Sequence, residues 1–353
     1  MRYAVFLGLI ALFGLLRLLL KCNTSKNQRK FYILLCGIVL FTFAVSRGTD
    51  FTSDVDLYAL QYIRLRNADI SLYWQQLVTG DGKDVTYTIL AAIFSKAGVS
   101  YTVFFALISV FYFTVLCRFV YLYSKEPYFS FLLYIMLGHY YFSLTAIRQS
   151  IAIALILLSF DYVVRKKPVR FVFCVAIASL FHLSALLFLL AYPLSKLKMR
   201  PLYVLAIPFL YLFARITAHP LMSRWSEFAP EQYQVYEELE TVLSLTGFLI
   251  MACICVFCLL YGRKPIQSDA VLNASAALCL FSLLPYAYSS FMFAEMFRIS
   301  NYFGLFTVLA IPNIVMETPS TVKYQRAVVY SGLLAVFTAY FFLSSNSGFI
   351  QFF

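Results

Sequence analysis

The chain has 353 residues, 62% of them hydrophobic and only 12% charged. A water-soluble domain of this length cannot hide so much apolar surface, so the solvent for most of the chain is lipid. The net charge of +12 does not point to nucleic acid here, because the Lys and Arg residues sit mostly in short links between apolar runs, where they set orientation in a membrane.

A straight crossing takes about 20 apolar residues, and fewer inside a packed bundle. In chain order the qualifying runs are Tyr3–Leu20, Phe31–Val45, Tyr101–Leu122, Tyr128–Ser143, Ser150–Val164, Phe171–Pro193, Pro201–Thr217, Val242–Tyr261, Ala270–Ser290, Ile299–Val315 and Ala327–Leu343. The first run lacks a small-x-small cleavage pattern, so it is expected to be an uncleaved span. The 27 Tyr and 37 Phe supply interfacial belts, and some are candidates to stack on sugar rings. Cys253, Cys255 and Cys258 lie inside an apolar run with no acid or His beside them, so they read as small membrane residues rather than metal ligands.

Charge orders the links. Lys21–Lys30, Val164–Arg170 and Gly262–Asp269 are basic and are assigned to the cytoplasm. Ser46–Thr86 carries Asp50, Asp54, Asp56, Asp69, Asp81 and Asp84, and Ala218–Thr241 carries Glu227, Glu231, Glu237, Glu238 and Glu240; both are assigned to the outer side. Two conflicts follow. Val85–Gly98 is short, and the parity of the neighbouring spans leaves it no crossing, so it is expected to be an amphipathic helix on the outer interface. Phe171–Pro193 has basic clusters at both ends, Arg165–Arg170 before it and Lys196, Lys198 and Arg200 after it. A break near Phe181-His182, with two short helices that rise and return, removes that conflict; the alternative is one long helix with His182 in mid-membrane. The expectation is an all-α polytopic membrane protein with about twelve membrane segments, some of them short or broken. It is read as one transmembrane domain, residues 1–353, with an outer loop and interfacial helix at 46–100 and a second outer loop at 218–241.

With orientation set by the charged links alone, strong polar groups collect on the outer side. Polar groups of this kind in a membrane protein mark function. Arg148 and Gln149 open an apolar helix, where unpaired N–H groups and a guanidinium cradle phosphate oxygens; a helix-end Arg that snorkels to headgroups is the plainer reading. His182 either takes a proton from an attacking hydroxyl or hydrogen-bonds substrate without titrating. His139 and His219 are weaker candidates. Asp50 is the carboxylate candidate for a base, Arg47 stands three residues before it, and Arg298 opens a further helix as a second phosphate ligand. Tyr58 and Tyr302 offer hydroxyl or stacking contacts, with interfacial belts as the other reading. There is no Walker loop, His-Glu-x-x-His or G-x-S-x-G pattern, and no metal or other cofactor is expected. Asp54-Val55-Asp56 fits a nucleotide-sugar motif only by its letters, since such donors are absent outside.

At these residues the chain resembles the EpsG branch of the Wzy-type polysaccharide polymerases. The resemblance lies in Arg47-Gly48-Thr49-Asp50 with Tyr58, Ile147-Arg148-Gln149-Ser150-Ile151-Ala152, Phe181-His182-Leu183-Ser184-Ala185, and more loosely Arg298 with Tyr302-Phe303. Lys83-Asp84-Val85-Thr86-Tyr87 stands where the family usually has a Glu-Pro-Gly-type turn. The resemblance implies a bacterial inner-membrane glycosyltransferase whose site faces the periplasm. It would join undecaprenyl-diphosphate-linked oligosaccharide repeat units into O-antigen, the polysaccharide of lipopolysaccharide, or into capsule or exopolysaccharide. Arg148 and Arg298 would hold the diphosphate, Asp50 or His182 would act as base, and Arg47 would position. Membrane lipids and a polysaccharide chain-length regulator are the implied partners. Two rivals stay open on the residues alone: a transferase using a polyprenyl-monophosphate sugar, and a flippase of lipid-linked oligosaccharide. Few charges lie mid-span, which weighs against the flippase, and a membrane O-acyltransferase would more naturally face a cytoplasmic acyl donor.

Overall fold

The computed structural model describes residues 2–20, 25–48, 51–79, 84–228, 245–291, 296–319 and 325–346. All regular structure among them is helical. That follows from the composition: where water is absent, backbone N–H and C=O groups must be satisfied within the segment, as a helix does. Among the described residues, six helices are long and apolar enough to cross a membrane, at Lys26–Val45, Tyr101–Tyr123, Ile147–Val164, Pro201–Leu221, Ala270–Ser289 and Met296–Glu317, and six shorter apolar helices accompany them. The chain divides into two compact units, Met1–Leu186 with Leu333–Phe353, and Leu187–Gly332.

The first unit contains α1 (Arg2–Leu20), α2 (Lys26–Val45), α3 (Ser53–Arg64), α4 (Ile70–Thr79), α5 (Val85–Lys96), α6 (Tyr101–Tyr123), α7 (Pro127–Met136), α8 (His139–Thr145), α9 (Ile147–Val164) and α10 (Pro168–Phe181). Hydroxyl caps start three of these helices: Ser25 accepts from Gln28 N (3.2 Å), Thr52 from Val55 N (3.4 Å) and Ser100 from Val103 N (3.3 Å). Each cap satisfies a donor that the helix itself leaves open. α2 packs on α6, α6 on α9, and α9 on α10. At Gly37 the α2 backbone comes so close to Cys117 Sγ of α6 that a Cβ there would collide with it.

The second unit begins within a 3-10 helix at Leu183–Leu190 that leads into α11 (Ala191–Leu194). A 3-10 turn at Pro201–Leu205 follows, then α12 (Ala206–Phe228), α13 (Leu245–Tyr261), α14 (Arg263–Ser268), α15 (Ala270–Ser289), α16 (Met296–Gly304) and α17 (Thr307–Glu317). The last helix, α18 (Gln325–Asn346), runs across the boundary between the units. α15 is the hub of the second unit, packed on α12, α13, α16 and α17. Asn273 of α15 fastens the basic link before α12: its amide donates to Ser195 O (3.2 Å) and Leu197 O (2.8 Å) and accepts from Met199 N (2.9 Å).

Four local features depart from the sequence expectation or refine it. The run Tyr128–Ser143 is not one helix: Gly138, at φ 80°, ends α7 with the left-handed turn that glycine adopts freely, and α8 restarts at His139. The run Ile299–Val315 is likewise divided, at Leu305-Phe306, into α16 and α17. Much of the polar link after α2 is helix, as α3 and α4, and α12 carries helix through to Phe228 in the second; residues 229–244 lie outside the described residues. α5 is present where expected, but it buries Val85, Tyr87, Thr88, Ile89, Ala91, Ala92 and Ser95 against neighbours that include α3, α4, α6 and α10, which is more than a helix resting on a surface would bury. The break at Phe181-His182 is present. α10 ends at Phe181, His182 is extended (φ −157°, ψ 111°), and the chain resumes as a 3-10 helix.

Candidate active site

Antiparallel packing of neighbouring helices decides what meets at one end of the first unit. α9 starts, and α10 finishes, at the same end, and Arg148 and His182 are therefore brought side by side. α3 and α5 close over that end. α3 turns Val55, Ala59 and Tyr62 inward, and Tyr62 fastens it: its hydroxyl donates to Val99 O (3.0 Å), its carbonyl accepts from Ser95 Oγ (2.7 Å), and its ring stacks on Phe104 at 5.0 Å. Burial pushes the Tyr62 phenol up from its ordinary value, which keeps it protonated as a donor.

The centre of the cluster is Asp84, which the sequence reading passed over. Its Oδ2 lies 3.2 Å from Arg148 Nη1 and 3.2 Å from His182 Nδ1, and its side chain is only 4% exposed. Asp84 is the N-cap residue of α5, yet its side chain does not cap that helix. Its backbone is left-handed, at φ 53° and ψ 41°. That conformation costs a non-glycine residue roughly 1–2 kcal/mol, and Asp is one of the residues that adopts it. The turn aims the carboxylate at α9 and α10 instead of along α5.

Arg148 also donates from Nε to Tyr58 Oη (3.1 Å), and its guanidinium lies 5.3 Å from the Tyr58 ring centre. Tyr58 meets Tyr87 edge-on at 5.7 Å. His182 makes no hydrogen bond through Nε2 among the described residues, so one face of the imidazole is engaged by Asp84 and the other nitrogen is open. Gln149, the next residue of α9, is 2% exposed.

Arg47 sits just past the end of α2. Its guanidinium lies 3.9 Å from the Phe105 ring centre and 5.7 Å from that of Phe51, and burial lowers its pKa from the usual arginine value. Tyr87 is within electrostatic reach of both Arg47 and Arg148, so the two cations belong to one aromatic cluster. Among the described residues Arg47 pairs with no carboxylate, and its Nε and Nη2 are buried without an acceptor.

Of the residues singled out in the sequence, Tyr58, Arg148 and His182 come together, with Arg47 beside them and Gln149 adjacent on α9. Asp50 lies outside the described residues. Arg298 and Tyr302 are on α16 of the second unit, Arg298 partly exposed and Tyr302 buried (1%). His139 is buried and stacks with Tyr134 (ring centres 6.4 Å apart), and His219 is exposed on α12. Asp84 could have been found from one signal: it is the acid that directly precedes an apolar helix. That position reads as an ordinary N-cap, which is why it drew no attention.

Among the described residues, all-helical structure with six helices fit to cross a membrane, and a part-buried acid–arginine–histidine cluster at one end of the first unit, define a multi-pass membrane protein with a polar site. Residues 4–352 match the model of the EpsG family, and the chain belongs to that family, which is one of Wzy-like polymerases. Neither the curated proteins nor the solved structures contain a match to the chain.

Proposed function

We propose that the protein joins lipid-linked oligosaccharide repeat units into a surface polysaccharide such as O-antigen, at the periplasmic face of a bacterial inner membrane. Family membership supports the polymerase class. The observation that carries the reaction is the single Asp84 oxygen held by both Arg148 and His182 beside Tyr58.

In the proposed step a hydroxyl of the acceptor repeat unit attacks the anomeric carbon of the donor glycan. The new C–O bond forms as the bond from that carbon to the diphosphate oxygen breaks. The hydroxyl proton passes to His182, and the bonding electron pair leaves with undecaprenyl diphosphate. Arg148, at the first turn of α9, stabilises the charge that develops on the leaving diphosphate, with helix N–H groups behind it. Arg47 positions the same anion, and Tyr58 and Gln149 contact substrate. The assignment rests on the first unit alone; Arg298 and Tyr302 belong to the second unit. A chain-length regulator is the proposed protein partner.

The test is a polysaccharide gel from a host lacking its own polymerase. Wild type should restore a ladder, whereas Arg148→Ala and His182→Ala, at equal membrane levels, should leave single repeats. Failure of wild type to build any ladder would place the chain at another step of the pathway.

A further inference from the structure

Three observations at Asp84 go beyond the presence of a cationic cluster. Its carboxylate is turned away from the helix it precedes, by a left-handed backbone. It is buried, and a buried carboxylate is kept only when paired, here by Arg148. Its one shared oxygen faces Nδ1 of His182, and Nε2 of that ring has no partner among the described residues. An ionised carboxylate only accepts hydrogen bonds. The imidazole nitrogen facing it must therefore carry the proton, and the hydrogen bond at one ring nitrogen fixes the state of the other.

We propose that Asp84 is a positioning residue: it holds His182 as the tautomer protonated on Nδ1, so that Nε2 is the atom that receives the acceptor's proton. This rests on His182 being the base in the reaction proposed above. Arg148 has a second duty in this arrangement. It neutralises Asp84 through the same Oδ2 that faces His182.

The shared oxygen makes Asp84→Ala the test and Asp84→Asn its control. Arg148 only donates, so in Asp84→Asn the amide oxygen takes the shared position and still accepts from Nδ1 of His182. In Asp84→Ala no acceptor faces Nδ1, and the ring reverts to the form protonated on Nε2 that a free neutral imidazole prefers, which blocks the base. A group that orients a catalytic histidine in this way is worth up to about 10⁴-fold in turnover where it has been measured. The expected loss for Asp84→Ala is on the order of 100-fold or more in kcat, with KM changed less than about 3-fold, and Asp84→Asn should lose less. The double variant with His182→Ala should be no slower than His182→Ala alone. A carboxylate that only ties α5 to α9 and α10 would instead add its loss to that of His182→Ala.

The second readout needs no substrate. The chain has three histidines, His139, His182 and His219, so imidazole ¹⁵N spectra of the purified full chain in lipid nanodiscs contain three ring systems, and His182→Gln assigns the relevant one. The wild-type spectrum and that of Asp84→Asn should show His182 protonated at Nδ1, and Asp84→Ala should show it protonated at Nε2. A wild-type His182 protonated at Nε2 overturns the inference without any variant. So does a fully multiplicative double variant. If no polymer is made but the tautomer inverts, the polymerase reading fails and the hold of Asp84 on His182 stands. If polymer is made and the tautomer is indifferent to Asp84, the inference alone fails.

Discussion

The two ends of the first unit use the same residue types in opposite ways. At the end away from the cluster, three arginines have specific partners. Arg17 pairs with Glu126 at 3.1 Å, Arg29 donates to the carbonyls of Ser124 and Tyr121, and Asp161 of α9 binds both Arg118 and Tyr123 of α6. These contacts close helix ends onto one another. At the cluster end, two basic side chains share one carboxylate oxygen, that carboxylate sits on a strained turn, and Arg47 rests on an aromatic ring without an acid. A buried carboxylate on a left-handed turn, shared by two basic groups, is a feature a site retains and a structural tie does not need. The difference separates charges that hold helices together from charges kept for a ligand.

The largest expected effect falls at the cluster end. Arg148→Ala removes a preorganised charge and should cost on the order of 100-fold or more in polymer formation, read per folded molecule on the gel. Arg47→Lys keeps the charge but loses the planar group over Phe105, and a drop of about tenfold is expected, with thermal stability unchanged. Changes elsewhere should invert this pattern, moving stability and not turnover. Gly37→Ala forces a Cβ onto Cys117 and should cost about 1–3 kcal/mol, recovered in part by adding Cys117→Ala. Asp161→Asn weakens a pair whose arginine side chain is 41% exposed, and solvent screening limits the loss to about 1 kcal/mol, read by thermal melting. Ser100→Ala removes the cap of α6 and should cost about 1 kcal/mol or less. A fall in turnover per folded molecule for Asp161→Asn would erase the contrast between the two ends.

How much of this was visible in the sequence depended on periodicity and charge. The break before His182 followed from basic clusters at both ends of one apolar run, Arg148 stood out as a strong polar group at the start of an apolar helix, and Tyr58 as a hydroxyl or stacking contact in the outer loop. The division of Tyr128–Ser143 at Gly138 was hidden because an apolar run says nothing of a single left-handed residue within it. The helix α3 was hidden by its charges, although Val55, Ala59 and Tyr62 mark one helical face. Asp84 was hidden for a tertiary reason: an acid before a helix ordinarily caps it, and only the packing of α9 and α10 shows what this one binds instead.

The central claim is that the Asp84–Arg148–His182 cluster transfers glycan from a lipid diphosphate. Purified chain in lipid nanodiscs, given lipid-linked repeat units as both donor and acceptor, tests it directly. The account predicts that wild type lengthens the glycan and releases undecaprenyl diphosphate in step with each new linkage, and that His182→Ala and Asp84→Ala slow both by on the order of 100-fold or more. Wild type that releases no diphosphate, or a His182→Ala protein that polymerises at the wild-type rate, would contradict it.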